Sequence, residues 1–380
     1  MLLSIVINNH NYGRYLAAAI DSALAQSYAR TEVVVVDDGS KDDSRTIIEA
    51  YGPRIVAVFK ENGGQASAVN AGFAHAHGDV IIFLDADDVL KPDIAAHIVE
   101  SFSSRPALGK VQYCMDIIDG HGRPTGEIKP DRHLPRRSGD LRKHQLNAAF
   151  DIPFMSMSGN AFARQVLDQI LPVPEQVYRL GADWYLTQLS PFYGDVLFLD
   201  VIGASYRVHG ANQYISSQFD LDQVRQTIVF MQATLSYLEQ VAERMGLLRA
   251  RSMQGRVFSF SYVAMRMISY KLDPRCHPIA GDTAPGLVRR GTAALFHRVD
   301  VSGAVKVALF VWLVAMATAP RWLAVLIAEQ MMLPSRRPRW INSVLQVTHR
   351  RHAGAPSHTG PGNSQMWARG LPDGDFSWFG

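Results

Sequence analysis

Val80-Ile81-Ile82-Phe83-Leu84 is an uninterrupted apolar run that ends in Asp85-Ala86-Asp87-Asp88. A run of that length without alternation reads as a strand buried on both faces, which calls for a parallel sheet covered by helices on either side. Its last residues then emerge at the carboxyl edge of the sheet, where open α/β sheets bind ligands. Residues two apart on a strand point the same way, so Asp85 and Asp87 can converge on one hard cation while Asp88 points elsewhere. The cluster is a candidate metal site.

The segments around this run alternate in the order such a sheet needs. Leu2 to Ile7 reads as a strand, and Gly13 to Ser27 as a helix with Leu16, Ile20 and Leu24 on one face. Glu32 to Val36 is a second strand, Asp42 to Ala50 a helix, Ile55 to Phe59 a third strand, and Gln65 to His77 a helix of small residues. A βαβαβαβ order requires parallel pairing with crossover helices, so the fold class is a doubly wound, mainly parallel α/β sheet. Lys110 to Met115 reads as a further strand, Asp119 to Pro124 as a turn, and Phe198 to Leu199 and Ala204 to Val208 as two more short strands. Lys129 to Lys143 is basic and broken by proline, which predicts a mobile loop over the site.

The pattern changes after about residue 215. Leu221, Val224, Ile228, Met231, Leu235, Leu238, Val241 and Met245 recur at spacings of three and four, marking a long amphipathic helix, and a second helix is expected over Val257 to Tyr270. Val307 to Ala319 is apolar but for Thr318 and is interrupted by Pro320-Arg321, and basic residues flank it on both sides. It is short for a spanning helix, and two readings stand: a hairpin or interfacial helix at a membrane surface, and a helical pair packed on the domain. The expected organisation is thus a catalytic domain over 1–215, a helical extension over 216–345 and a disordered tail over 346–380.

A formal net charge of +3 on 380 residues gives no reason to expect nucleic-acid binding. Cys114 and Cys276 have no metal-ligand or CxxC spacing, which suits a reducing compartment. Met1 to Ile7 lacks the basic region and length of a signal peptide, so the catalytic part is expected in the cytoplasm.

Four segments stand in order: Leu3-Ser4-Ile5-Val6-Ile7-Asn8-Asn9-His10-Asn11-Tyr12, Val35-Val36-Asp37-Asp38-Gly39-Ser40, Glu61-Asn62-Gly63-Gly64-Gln65 through Asn70-Ala71-Gly72, and Phe83-Leu84-Asp85-Ala86-Asp87-Asp88. This ordered set, covering roughly 1–215, resembles the family 2 glycosyltransferases with their GT-A fold. The resemblance implies that Asn9 and Asp38 hold the nucleoside of a nucleotide-sugar donor, and that Asn62, Gly63, Gly64, Gln65 and Asn70 line it. Asp85 and Asp87 match the DxD signature that holds Mg²⁺ or Mn²⁺ on the donor diphosphate, Asp85 also lying against the donor. Asp183, in Gly181-Ala182-Asp183-Trp184, is the match for the base that deprotonates the acceptor hydroxyl in an inverting transfer. Its alternative is an acid stabilising a helix N-terminus. His209 is placed for the metal or diphosphate, and equally for an ordinary surface turn; Trp184 and Tyr185 suit a sugar platform or helix packing.

Where the family commonly has Pro and Tyr, this chain has Asn8 and His10, and Val69 replaces a frequent basic residue. The expected donor is a UDP-, GDP- or dTDP-sugar. The expected acceptor is a glycan or glycolipid of the cell surface, with a membrane polyprenyl phosphate as the alternative and a membrane surface as a further partner. Asp85-Ala86-Asp87-Asp88-Val89 also fits the signature of haloacid-dehalogenase-type phosphatases, in which Asp85 is the nucleophile, but three strand-like segments precede it where that motif follows the first strand. A non-catalytic sugar-nucleotide binder is the third reading, and it has no need of Asp183.

Overall fold

The computed structural model describes residues 1–130, 136–147, 149–150, 156–209, 219–247, 259–297 and 302–333. The tail expected over 346–380 lies outside them. Two compact units are present, the first built from the described residues up to 209 with 229–247, the second from 219–228 with 259–333.

The first unit grows around β1 (Leu3–Asn9). It pairs in parallel with β2 (Thr31–Asp38) on one side and β4 (Val80–Asp85) on the other, and β3 (Val56–Lys60) extends the sheet beyond β2. Ile5, Val6, Ile7 and Ile81 to Leu84 are fully buried, as expected of strands covered on both faces. The crossovers are α1 (Gly13–Leu24), α2 (Ser44–Ala50) and α3 (Gln65–His75). Gly72 lets α3 lie close on the sheet, because a Cβ there would stand 2.2 Å from Val6 Cγ1. All four leading strands therefore point their carboxyl ends at one edge.

The rest of this unit is mixed rather than parallel. After β5 (Val89–Leu90) and α4 (Ile94–Ser104) come β6 (Leu108–Asp119) and β7 (Pro124–Lys129), then α5 (Arg142–Asn147), β8 (Asn160–Ala163), α6 (Arg164–Ile170), α7 (Ala182–Leu189) and β9 (Asp195–Val208). The sheet order is β3-β2-β1-β4-β8-β6-β9-β5, with β7 on β6; β8 is antiparallel to both β4 and β6. The two short strands expected at Phe198 and Ala204 are parts of β9 alone. Asp200 and Gly203 break its apolar pattern, but the long partner β6 carries the pairing past them with shifts of register. The loop expected over Lys129 to Lys143 is bounded more tightly: Lys129 closes β7 opposite Met115, Arg142 and Lys143 begin α5, and residues 131–135 lie outside the described residues.

The helices of the C-terminal part are α8 (Leu221–Arg244), α9 (Phe260–Leu272), α10 (Ala284–His297), α11 (Gly303–Thr318) and α12 (Arg321–Met332). The α8 stripe from Val224 to Val241 is buried as its spacing predicts. Within the second unit Asp282 is buried and takes Arg266 at 2.8 Å on one oxygen, with His277 at 3.0 Å on the same atom. Its other oxygen also accepts from Arg266, so the carboxylate pins the segment after α9 back onto that helix. Among the described residues no helix is long and apolar enough to cross a membrane.

Candidate active site at the carboxyl edge of the sheet

Asp85 is the last residue of β4, and its N–H is held by the Ser158 hydroxyl at 3.0 Å. The chain then turns, with the Asp88 N–H returning to the Asp85 carbonyl at 3.0 Å. The antiparallel pairing of Val89 with Ser205 brings the end of β9 against this turn. Arg207 there donates its backbone N–H to Asp88 Oδ1 at 2.9 Å and its Nε to the Asp87 carbonyl at 2.8 Å. Two residues on, His209 Nε2 lies 3.0 Å from Asp87 Oδ2. The His209 ring is flanked by Tyr12 and Tyr15, with ring centroids 5.6 and 4.8 Å away. Asp88 is thus tied to β9, while Asp87 meets His209 and Asp85 faces the helices.

Asp183 comes to this cluster through Gln65. Gly181, at φ +86°, opens α7, and the Gln65 side-chain oxygen accepts from the Gly181 and Ala182 N–H groups at 2.9 and 3.0 Å. The same side chain lies beside the Asp85 carboxyl and opposes the rise of its pKa, and the Gln65 N–H donates to the Arg179 carbonyl at 2.8 Å. The first turn of α3, the end of β4 and the first turn of α7 therefore share one glutamine.

The electrostatics are those of crowded, buried acids. Burial, then Asp88, Asp87 and Asp183, push the Asp85 carboxyl well above the carboxylate range. Burial raises Asp88 and Asp87 as well, His209 opposing the rise at Asp87. Burial lifts Asp183 to about 6, against the pull of the Trp184 N–H and of Lys129. Lys129 Nζ sits 4.5 Å from the centre of the Tyr206 ring. Burial lowers its pKa while Asp88, Asp183 and Asp85 hold it up. It is the group that the sequence reading missed, because a proline-broken basic stretch looked like loop. Asn8, noted only as a departure from the family pattern, stands level with Asp85 in the sheet register, and its buried carboxamide has no hydrogen-bond partner among the described residues.

The donor-lining residues separate into two groups. Asn9 points to the other side of β1, donating to Asp37 Oδ1 at 2.9 Å and to the Ser40 hydroxyl at 3.1 Å. Asp38 is buried and occupied: Lys60 donates at 2.6 Å and the Gly63 N–H at 2.9 Å to one oxygen, the Gly64 N–H at 2.7 Å and Asn62 at 3.2 Å to the other. It folds the Asn62–Gly64 turn from within. Gly64 has φ +89°, and a Cβ on it would come within 2.5 Å of Arg179. Asn70 is engaged away from these acids, its amide exchanging hydrogen bonds with the Val173 backbone at 2.9 and 2.8 Å. Tyr185 is a core residue donating to the Ile170 carbonyl at 2.8 Å, and Trp184 packs against Phe150 and Phe230 at 5.0 and 5.9 Å. Packing is thus the observed fate of the sugar-platform pair.

Asp85 and Asp87 supply the hard, anionic oxygens that Mg²⁺ or Mn²⁺ prefers, and their mutual repulsion is what a divalent cation relieves. Among the described residues no three His, Cys, Asp or Glu side chains form a complete cage. The set fits a cation that takes its remaining ligands from a bound phosphate and water.

Three comparisons bear on this geometry. A family model described as glycosyl transferase family 2 matches residues 4–171. An uncharacterized glycosyltransferase of Nostoc sp. is 40% identical over 221 residues, covering 57% of this chain and 68% of that protein. One of Rickettsia prowazekii is 37% identical over 141 residues, covering 37% of this chain and 44% of its own length. Among solved structures, S. aureus TarS superposes with a TM-score of 0.51 at 15% identity, over 87% of this chain and 55% of TarS, which places the fold with the GT-A type.

Proposed function

The chain belongs to glycosyl transferase family 2, and from that premise we propose an inverting, metal-dependent transfer of a sugar from a nucleoside diphosphate to an acceptor hydroxyl. Membership removes the phosphatase reading of Asp85. The observation that carries the proposal is Gln65, which lies beside Asp85 and accepts from the backbone at the start of the Asp183 helix. One carboxylate set suits the diphosphate and a second, separate carboxylate suits the acceptor, as an in-line displacement needs.

Asp85 and Asp87, with His209 on Asp87, would hold Mg²⁺ or Mn²⁺. The bound cation supplies Lewis-acid neutralisation of charge on the departing nucleoside diphosphate. Asp183 takes the acceptor hydroxyl proton, and a carboxyl with a pKa of about 6 is better matched to that task than an ordinary aspartate. Lys129 keeps Asp183 ionised near neutral pH. Asn9, Asp38 and the Asn62–Gln65 turn form the nucleoside side, Asp38 by shaping the turn.

The acceptor we propose is a glycan or glycolipid of the cell surface. Calorimetric titration with UDP-, GDP- and dTDP-sugars, with and without Mn²⁺, tests the donor half: one series binds with Mn²⁺, and Asp87→Ala abolishes the metal effect. Indifference of binding to both Mn²⁺ and Asp87→Ala sinks the cation assignment. Asp183→Asn should retain donor binding and lose transfer; retention of transfer sinks the base.

A further inference from the structure

α11 is apolar on nearly every side, with Lys306 its single charged residue, yet only one stripe is covered. Val305, Leu309, Leu313 and Met316 are buried, whereas Val307, Phe310 and Val311 stand 63%, 41% and 58% exposed. α12 repeats the arrangement, burying Ala324, Ala328 and Met331 and exposing Trp322 and Leu326 at 69% and 51%. The two helices form a hairpin through Ala319-Pro320, with the Trp312 indole donating to the Ile327 carbonyl at 3.2 Å. Large apolar side chains repeated along the outside of two adjacent helices are more than the scattered exposure of an ordinary surface.

The charges say what covers them. Between Ala284 and Trp340 the sequence has eight Lys or Arg and two Asp or Glu. Two of the basic residues border the exposed stripes directly, Lys306 before Val307 and Arg321 before Trp322. Among the described residues of the hairpin the exposed stripes are bordered by Lys306 and Arg321, and a second copy would set these two cations against their own counterparts, which repels. An anionic bilayer complements it, drawing the basic groups to its headgroups and taking the apolar side chains into the acyl boundary. The 16 residues of α11 extend roughly 24 Å, less than the roughly 30 Å hydrocarbon core, so the hairpin lies in the interface and does not cross.

We propose that the outer face of the α11–α12 hairpin is a docking site for anionic lipid membranes. The test uses the full chain, sedimented with vesicles of phosphatidylcholine alone and of phosphatidylcholine with phosphatidylglycerol. Sedimentation with the anionic vesicles only, weakened by added salt, is expected. Val311→Asp with Leu326→Asp, and separately Lys306→Glu with Arg321→Glu, should each lower binding at least about tenfold while helix content by circular dichroism is kept. The salt dependence of the unaltered chain tests the charge argument without any substitution. Absence of anionic-vesicle binding overturns the proposal, as does wild-type binding by both variants. So does a dimer in solution that the apolar variant dissociates, which would assign the face to a second copy.

Discussion

Replacing Asp38 by Ala removes the carboxylate around which the Asn62–Gly64 turn is folded. The two glycine N–H groups at 2.9 and 2.7 Å lose a charged acceptor, each worth about 1.5 kcal/mol or more net. Lys60 loses its counter-charge at 2.6 Å, but its side chain is 23% exposed and also donates to the Glu61 carbonyl, so its share is about 1 kcal/mol at most. The sum is roughly 3–4 kcal/mol, which in a unit of this size lowers Tm by roughly 6–15 °C. Thermal unfolding followed by circular dichroism, with and without nucleotide, measures it. A Tm within about 2 °C of the unaltered chain, together with lost nucleotide binding, would refute the reasoning, because Asp38 would then act on the ligand directly.

Further outcomes are expected. Asp183 has a folded pKa of about 6 against an ordinary 3.8, so it stabilises the ligand-free fold below about pH 4 and that contribution is lost as pH rises through 6. The loss is roughly 3 kcal/mol, visible as a falling Tm over that window in wild type and a flatter profile in Asp183→Asn. Activity should run the other way, rising with pH through about 6 as Asp183 ionises. Lys129→Met should move that rise to higher pH, and an unmoved profile would remove Lys129 from the base's surroundings. In the second unit, Asp282→Ala strands the buried Arg266 and His277 and should cost about 3–5 kcal/mol, read by chemical denaturation.

The first four strands and three crossovers were legible because their apolar runs and turn residues carry local signals. Asp85 was legible for the same reason, as the first polar residue after a buried strand. β9 was not, because continuity across Asp200 and Gly203 comes from β6 and not from its own pattern. Lys129 escaped because its neighbourhood is set by Tyr206 and three carboxylates far along the chain. The donor-contact roles expected of Asn70 and Asp38 rested on family position, and their hydrogen bonds in the structure go to the protein's own backbone and side chains.

Gln65 and Gly181 are 116 residues apart, so their contact closes a longer loop than the pairings of β1, in which Leu3 meets Thr31 of β2 28 residues on and Val80 of β4 77 residues on. Loop-closure entropy delays such contacts relative to local ones. In refolding, the parallel sheet should therefore gain its secondary structure before Asp183 is seated, and catalytic competence should return in a later kinetic phase. Expressed alone, the first four strands and the turn after them would carry the DxD carboxylates but leave the Gln65 oxygen without the Gly181 and Ala182 N–H groups it accepts from.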